Sequence, residues 1–330
     1  MNIIVTERIA EVGIYYLREN GFSVEACLGI SQSELLKVIH RYDGLIVRSV
    51  TRVDEELLAR AKKLKIVGRA GNGLDNIDLP ACTTRGIPVV NTPAANAMST
   101  AELAVGLIFA AFRNIPQAYR AGKAKDFRRV VYFGHELHGK TAGIVGLGRI
   151  GSLVAAKLRA LGLKVIAYDP HIEEARFEEL EAEKCADLAA LLRRADVITI
   201  HVPKKPETTD LIGAPELDLC KPGVRIVSTS RAGIVNERAL HAALRSAHVA
   251  AAGLDILDPE PDFEAAPGEQ DYHHPLLELD NAIITPHMGG STEEAEHTIS
   301  MTLARLVTRA FTGQPITAAN NITGLSTGRY

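Results

Sequence analysis

Ten short runs of β-branched and other apolar residues recur along the chain, separated by longer stretches that have the spacing of amphipathic helices. Runs that are apolar throughout are typical of strands buried on both faces of a parallel sheet. Their alternation with helices therefore predicts an α/β fold with doubly wound parallel sheets. The runs are IIVTE (3–7), GLIVRS (44–49), LKIVGRAG (64–71), IPVVNTP (87–93), TAGIVGLG (141–148), KVIAYDP (164–170), VITIHVP (197–203), VRIVSTS (224–230), AAAGLDIL (250–257) and AIITPH (282–287).

The strands fall into two groups, one on each side of a long apolar segment from Ser99 to Ala121. Ten strands are many for one sheet, and 330 residues exceed what one core usually serves, so we expect two domains. Ser99 can cap a helix, and Glu102 stands three residues later as in a capping box. The segment is therefore predicted to be a helix that begins at Ser99 and connects the domains.

The composition, with 46% hydrophobic and 23% charged residues, is that of an ordinary globular protein. A net charge of −3 offers no basic field for nucleic acid or an anionic membrane, and no apolar run reaches the roughly 18 residues of a membrane span. The four cysteines form no C-x-x-C pair, so we expect neither disulfides nor a metal site, and a cytoplasmic location. Residues 261–275 read as a surface loop.

The sequence Gly146-Leu-Gly148-Arg149-Ile150-Gly151 lies between a strand and a helix. In that setting the glycines allow a tight turn, close approach of backbone to a pyrophosphate, and close helix–strand packing, while the helix N-terminus supplies N–H groups. Asp169 ends the next strand, where an acid can bind the adenosine ribose. These residues predict a dinucleotide site, and the carboxylate favours NAD over NADP.

Three later strands end in residues that suit acid–base chemistry: Arg231, then Asp255 with Glu260 beyond it, and His287 before a Gly-Gly pair. The carboxyl ends of parallel strands line the ligand crevice, so we expect these side chains to converge. Arginine can hold a carboxylate with two hydrogen bonds, and histidine can exchange a proton near neutral pH. The set suits hydride transfer between nicotinamide and a small 2-hydroxy acid.

At this point the chain resembles the D-isomer-specific 2-hydroxyacid dehydrogenase family over almost its whole length. The resemblance rests on GRAGNGLDNIDL, NTPAANAMSTAE, GKTAGIVGLGRIG, HVPKKPETTDLI, SRAGIVNERAL, LDILDPEP and PHMGGST, in that order. It implies a Rossmann NAD-binding domain (99–287) inserted into a flavodoxin-like substrate-binding domain (1–98 and 288–330). It also implies a homodimer that forms through the NAD-binding domains, around residues 99–140.

The resemblance implies a role for each matching residue. His287 is the general acid/base, Glu260 its orienting partner and Arg231 the substrate clamp, while the backbone N–H groups of Asn72 and Gly73 bind the substrate carboxylate. The cofactor-binding positions are Gly146, Gly148, Arg149, Ile150, Gly151, Asp169, Val202, Thr229, Ser230 and Asp255.

Within the family, the segments LIVRSVTRV, VGRAGNGLDNID and FGHELHGKT are similar to those of the branch that oxidises 3-phosphoglycerate to 3-phosphohydroxypyruvate in serine synthesis. That similarity implies that Arg48, Arg69 and, from a neighbouring subunit, Arg129 surround the substrate phosphate. Phe127 and Ala232 depart from the branch's usual Trp and Gly, and the chain reads as a short form without the C-terminal regulatory domain. Two alternatives stay open: a reductase of hydroxypyruvate, glyoxylate or another 2-keto acid, and an NAD-sensing scaffold similar to a corepressor.

Overall fold

The structure, a computed structural model, describes residues 1–261, 265, 268–314, 316 and 319–321. The chain divides into two compact units, Met1–Asn96 with Gly290–Tyr330 and Ala97–Gly289. Each end of the predicted inserted domain, 99–287, lies two residues inside the corresponding boundary of the second unit.

The described residues form twelve strands: β1 (Asn2–Val5), β2 (Ser23–Ala26), β3 (Gly44–Val47), β4 (Ile66–Arg69), β5 (Val89–Asn91), β6 (Thr141–Val145), β7 (Lys164–Tyr168), β8 (Glu183–Lys184), β9 (Val197–Ile200), β10 (Val224–Ser228), β11 (Val249–Leu254) and β12 (Ala282–Ile284). The α-helices are α1 (Glu11–Glu19), α2 (Gln32–Val38), α3 (Glu55–Arg60), α4 (Leu79–Thr84), α5 (Ala97–Arg113), α6 (Ile115–Lys123), α7 (Arg149–Ala160), α8 (Glu174–Glu179), α9 (Leu188–Leu192), α10 (Ala214–Asp218), α11 (Glu237–Arg245) and α12 (Glu293–Phe311). Short 3-10 helices cover Ile39–Arg41, Arg129–Tyr132, Pro206–Thr208 and Pro275–Glu278.

The first unit is a five-stranded parallel sheet in the order β2-β1-β3-β4-β5. Apolar residues of α1 and α12 form the core on one face, and those of α2, α3 and α4 form the core on the other. This is the doubly wound order of flavodoxin-like sheets, whose switch point lies between β1 and β3.

The second unit is a seven-stranded parallel sheet in the order β12-β11-β10-β9-β6-β7-β8. Helices α5, α7 and α8 cover one face, while α9, α10 and α11 cover the other. The strand order reverses between β6 and β9, as in a Rossmann fold, so the ligand crevice is expected at the carboxyl ends of these two strands. The two sheets confirm the predicted fold class.

Two strands, β2 and β8, were not predicted, and both lie at a sheet edge. In β2 (SVEA) only one of four residues is buried, and both residues of β8 are exposed. Edge strands bury little side-chain surface, so they lack the apolar run that revealed the others.

The prediction of one connecting helix over Ser99–Ala121 was wrong in three respects. The helix begins at Ala97, so Ser99 lies inside the first turn, and it breaks at Asn114, where φ is +49° and Pro116 follows. Helix α5 is also not a connector, because its buried face packs in the core of the second unit against β10, β11 and α7.

Within the described residues, no single helix is long and apolar enough to cross a membrane. The pair α5 and α6 meets that criterion only when the two are taken together, and they are bent by 67° at their junction.

Candidate active site

The three glycines of the turn between β6 and α7 differ in what a side chain at each position would contact. Gly146 has φ +91°, and a Cβ there would lie 2.7 Å from the carbonyl oxygen of His201. At Gly151 a Cβ would lie 2.0 Å from the Gly146 carbonyl oxygen, so only glycine lets the helix approach the strand so closely. At Gly148, the N-cap of α7, a Cβ would meet no atom within 4 Å. The open space lies where a pyrophosphate would meet the helix N-terminus.

Asp169 follows β7 and faces the same turn. Its carboxylate accepts the backbone N–H of Leu147 at 2.8 Å and that of His171 at 2.9 Å. Arg149, which is exposed, and the half-buried Ile150 form the first turn of α7 beside it. The fold thus brings the predicted ribose-binding acid to the glycine turn across the β6–β7 pair.

The ends of β9 and β10 supply two buried polar atoms that have no hydrogen-bond partner among the described residues, His201 Nδ1 and Thr229 Oγ1. Burial lowers the pKa of His201 to about 3, so this ring is neutral. Ser230, by contrast, donates to the Ile200 carbonyl at 2.7 Å. Buried polar atoms are rarely left unpaired, and a bound ligand can satisfy them. Together with the open space at Gly148, they fit a dinucleotide better than an apolar molecule.

Val202, predicted to contact the cofactor, is half-buried two residues after β9. Its Cγ1 atom lies 2.7 Å from the position that a Cβ on Gly146 would occupy. Val202 therefore stands against the glycine turn, at the reversal point of the sheet.

Asp255 is buried directly after β11, and its carboxylate accepts hydrogen bonds from the segment that carries His287. It accepts Thr285 Oγ1–H at 2.6 Å, Met288 N–H at 2.9 Å and Gly289 N–H at 2.8 Å. These bonds fix the turn that follows β12. The predicted contact of Asp255 with the nicotinamide amide stays a prediction, and the structure adds a second role, the placement of His287.

His287 Nδ1 lies 3.1 Å from Glu260 Oε2, and both side chains are partly exposed. An ionised carboxylate can only accept hydrogen bonds, so Nδ1 carries the proton and the lone pair of the neutral ring is on Nε2. His287 has φ +52°, a left-handed conformation that is unusual for a residue with a Cβ. The fold thus joins two residues that are 27 positions apart in the sequence.

Arg231 comes three residues after β10, which neighbours β11 in the sheet as β11 neighbours β12. The strand ends that carry Arg231, Glu260 and His287 are therefore consecutive at one edge of the sheet. Ala232, which replaces the usual glycine, is buried, so a methyl group is accommodated there.

The residues predicted to bind the substrate carboxylate and phosphate are mostly in the first unit. Val47 of β3 pairs with Arg69 of β4, which places Arg48 and Arg69 at adjacent strand ends. Arg48 Nη2 lies 2.6 Å from Glu296 Oε1 on α12. Asn72 is exposed after β4, and its carbonyl accepts the Asn91 amide at 2.6 Å. Gly73 follows it, and in the second unit Arg129 is exposed in a 3-10 helix.

Two acids that organise loops, Glu7 in the first unit and Glu237 in the second, were not among the predicted site residues. The Glu7 carboxylate accepts four consecutive backbone N–H groups, from Arg48 to Thr51, at 2.8–3.0 Å. Glu237 accepts the Asp258 N–H and faces His274. Neither has a local pattern that could reveal it, because the partners are 21 to 44 residues away.

A family model described as "D-isomer specific 2-hydroxyacid dehydrogenase, NAD binding domain" matches residues 105–289. The chain is 44% identical to D-3-phosphoglycerate dehydrogenase of Archaeoglobus fulgidus over 322 residues, which cover 98% of this chain and 59% of that protein. It is 42% identical to the Methanocaldococcus jannaschii enzyme of the same name, with 95% of this chain and 58% of that protein covered. The chain thus spans about three fifths of the length of these relatives.

Solved structures with the same fold cover the chain almost completely. The TT0316 protein of Thermus thermophilus has a TM-score of 0.87 and 32% identity, with 97% of this chain and 100% of that chain covered. The D-mandelate dehydrogenase of Rhodotorula graminis has a TM-score of 0.87 and 26% identity, with 99% of each chain covered.

The family model confirms the NAD cofactor that the glycine turn and Asp169 predict. It covers more than half of the chain, and its range ends at the turn that carries His287. The chain therefore belongs to the D-isomer-specific 2-hydroxyacid dehydrogenase family.

Proposed function

We propose that this protein is an NAD-dependent dehydrogenase that interconverts a D-2-hydroxy acid and the corresponding 2-keto acid. The observation that carries the proposal is the pair of His287 Nδ1 and Glu260 Oε2, 3.1 Å apart, in the unit that holds the glycine turn. A histidine whose tautomer is fixed by a carboxylate is a suitable general base for a hydroxyl proton.

Each residue of the set has one task. Nε2 of His287 takes the hydroxyl proton during oxidation and returns it during reduction, while Glu260 keeps Nδ1 protonated and stabilises the imidazolium. Arg231 holds the substrate carboxylate with its planar guanidinium. Arg149, Ile150, Asp169 and the glycine turn hold NAD, which when bound accepts the 2-hydrogen as a hydride.

We propose 3-phosphoglycerate as the substrate, with 3-phosphohydroxypyruvate as the product. Two relatives that are more than 40% identical bear the name D-3-phosphoglycerate dehydrogenase. Arg48 and Arg69 come from adjacent strand ends, and a phosphate dianion needs cationic side chains of this kind. In this proposal Asn72 and Gly73 bind the carboxylate, and Arg129 adds a further cation.

The ion pair between Arg48 and Glu296 bears directly on that substrate. The side chains of Arg48 and Glu296 are 30% and 27% exposed, so solvent weakens the attraction between them. A phosphate dianion can therefore compete with the carboxylate for the guanidinium. Loss of the competitor in Glu296→Gln should lower KM for a phosphorylated substrate and leave KM for hydroxypyruvate unchanged.

The decisive experiment measures NADH oxidation with 3-phosphohydroxypyruvate, hydroxypyruvate, glyoxylate, pyruvate and 2-oxoglutarate. A preference for the phosphorylated acid that falls in Arg48→Ala supports the substrate. A preference for another acid keeps the reaction and rejects the phosphate role of Arg48 and Arg69. NADH binding without turnover on any of these acids would favour the NAD-sensing scaffold.

We also propose that the protein is a homodimer that forms through the second unit. Phe127 and Phe133 are each 79% exposed and Val130 is 66% exposed, which is unusual for three large apolar side chains within seven residues. A second copy of the same face would cover them. Phe133→Asp should shift the mass measured by light scattering to that of a monomer, whereas Leu28→Asp, at an exposed position of the first unit, should not.

A cytoplasmic location is the third part of the proposal. All four cysteines are free thiols, and burial raises the pKa of Cys82 to about 11 and that of Cys220 to about 12. Free thiols that stay protonated suit a reducing compartment. Fractionation of cells that express the protein tests this location.

A further inference from the structure

The loop that carries Glu260 leaves β11 and returns to a 3-10 helix that begins at Pro275. Both of its ends are bound to one buried carboxylate, that of Glu237 at the start of α11. The Asp258 N–H lies 3.1 Å from Oε1 and 3.2 Å from Oε2 of Glu237. His274 Nε2 lies 2.7 Å from Oε2, and the two side chains are only 9% (His274) and 11% (Glu237) exposed.

The protonation of His274 follows from its second contact. Its Nδ1 accepts the backbone N–H of Leu276 at 3.2 Å, so that nitrogen carries a lone pair. The proton of the neutral ring is therefore on Nε2, which donates to Glu237. His274 thus has two separable tasks, capping the 3-10 helix through Nδ1 and holding the loop through Nε2.

A third contact joins the two arms of the loop directly. The Tyr272 hydroxyl donates to the Pro259 carbonyl at 2.8 Å, one residue before Glu260. The Tyr272 ring stacks on that of His274, with 6.4 Å between centroids and 13° between planes. Tyr272 therefore contacts both His274 and the backbone next to Glu260.

Apolar packing leaves space at this place. A cavity of about 190 Å³ is lined by Ile256, Leu257, Leu277 and Ile284 together with Tyr272 and His287. Because this space lies beside His287, close packing alone does not fix the loop there. The polar contacts of Glu237 therefore add restraints on the approach of Glu260 to His287.

We propose that Glu237 and His274 are positioning residues that hold the Glu260 loop, and so keep the Glu260 carboxylate on Nδ1 of His287. The inference rests on the proposed roles of Glu260 and His287 in catalysis. We call the contacts of Glu237 with Asp258 and His274 the clamp. The proposal predicts that a loss of these contacts lowers kcat and leaves NADH affinity unchanged, because none of the three residues belongs to the glycine turn. Burial raises the pKa of Glu237, against the opposing effect of hydrogen bonds from Asp258 and His274, so the carboxylate depends on these donors.

Two substitutions of His274 distinguish its contact with Glu237 through Nε2 from its capping of the 3-10 helix through Nδ1. The amide of His274→Gln reaches as far as Nε2 and can still donate to Glu237, but it loses the cap. The amide of His274→Asn lies where Nδ1 lies and keeps the Leu276 cap, but it cannot reach Glu237. The clamp predicts that Asn lowers kcat by about tenfold and that Gln retains most of it, since small displacements of a catalytic group cost one to two orders of magnitude.

The test measures kcat, KM and NADH dissociation for both variants and for Glu237→Gln, in the otherwise natural chain and in Glu260→Gln. The expected result is a loss of kcat in His274→Asn and Glu237→Gln that nearly disappears in the Glu260→Gln background. A loss in His274→Gln but not in His274→Asn would assign the effect to the cap and overturn the clamp. Losses of kcat in His274→Asn and Glu237→Gln that are equal in the natural chain and in Glu260→Gln would also overturn the clamp.

The failure of the proposed function is a different outcome. If Glu260→Gln alone leaves turnover unchanged, the role of Glu260 is wrong and the clamp cannot act through it. If Glu260→Gln lowers turnover while Glu237→Gln and His274→Asn do not, only the clamp is wrong. If His274→Asn fails to fold, Tyr272→Phe is measured in its place, because this variant loses only the hydrogen bond to the Pro259 carbonyl. The proposal then predicts a smaller loss of kcat. An unchanged kcat in Tyr272→Phe would overturn the proposal.

Discussion

The backbone N–H of His287 donates to the carbonyl oxygen of Asp255 at 2.8 Å, while the Asp255 carboxylate accepts the N–H groups of the next two residues. His287 is held by these bonds at φ +52°, a conformation that costs a residue with a Cβ about 1 to 3 kcal/mol. One buried aspartate thus offsets the strain of the turn that places the histidine.

Replacement of Asp255 by Asn should therefore lower both stability and turnover. The amide keeps one acceptor but turns an N–H group toward backbone donors, which costs about 2 to 3 kcal/mol of unfolding free energy. Urea unfolding and kcat measure the two effects. Thr285→Val removes a single donor to Asp255 and should cost about 1 kcal/mol; an equal loss in both variants would reject the shared role of the carboxylate.

His287→Ala should lower kcat by about 100-fold or more, since a positioned general acid/base contributes about that much. NADH affinity, measured by fluorescence, should stay nearly unchanged because the glycine turn is intact. The control is His273→Ala, whose side chain is 92% exposed, and it should match the natural protein. Full turnover in His287→Ala would mean that another group transfers the proton.

Two glycines of the same turn should respond differently to alanine. Gly151→Ala places a methyl group 2.0 Å from a backbone oxygen, so it should destabilise the fold. Gly148→Ala meets no atom within 4 Å, and its φ of −68° suits alanine, so stability should be retained. The new methyl group would instead occupy the space of the pyrophosphate and weaken NADH binding. Thermal unfolding and NADH titration distinguish the two, and unchanged affinity in Gly148→Ala would place the pyrophosphate elsewhere.

The charge of Asp169 should decide between NAD and NADP. Asp169→Asn keeps the size and one acceptor oxygen for the Leu147 N–H but removes the repulsion of a 2′-phosphate. The ratio of kcat/KM for NADPH to that for NADH should rise at least about tenfold, which corresponds to about 1.4 kcal/mol. Glu173→Gln removes a charge from an exposed position four residues away and should leave the ratio unchanged.

Glu7 should make stability depend on acidic pH. Burial acts to raise the pKa of Glu7, but hydrogen bonds from Thr51, Val50 and Arg48 outweigh it, so the pKa is lowered in the folded protein. A lowered pKa contributes stability that is present above the unfolded pKa, about 4.3, and is lost as the pH falls through the folded pKa.

Glu7→Gln should therefore cost about 1 to 3 kcal/mol at pH 7 and progressively less below about pH 4. Unfolding by urea between pH 3 and pH 7 measures this. The exposed Glu19→Gln serves as the control. A cost of Glu7→Gln that is the same at every pH would show that packing, and not charge, is responsible.

The sequence by itself determined the parts of this protein that depend on short-range rules. Continuous apolar runs revealed the strands buried on both faces, and the spacing of Gly146, Gly148 and Gly151 revealed the phosphate turn. These patterns are readable because the requirement for each residue comes from its own backbone conformation or from a neighbour within one turn. Edge strands such as β2 escaped because they bury too little to leave a pattern.

Only the tertiary structure decided which distant groups meet. Glu237 and His274 are 37 residues apart, Glu7 and Thr51 are 44 apart, and no local preference marks any of them as a partner. Glu7 and Thr51 meet because parallel strands bring their carboxyl ends to one edge of a sheet, and Glu237 and His274 meet because the connection from β11 to β12 passes the start of α11. A carboxylate buried at that edge must find donors, whichever segments supply them.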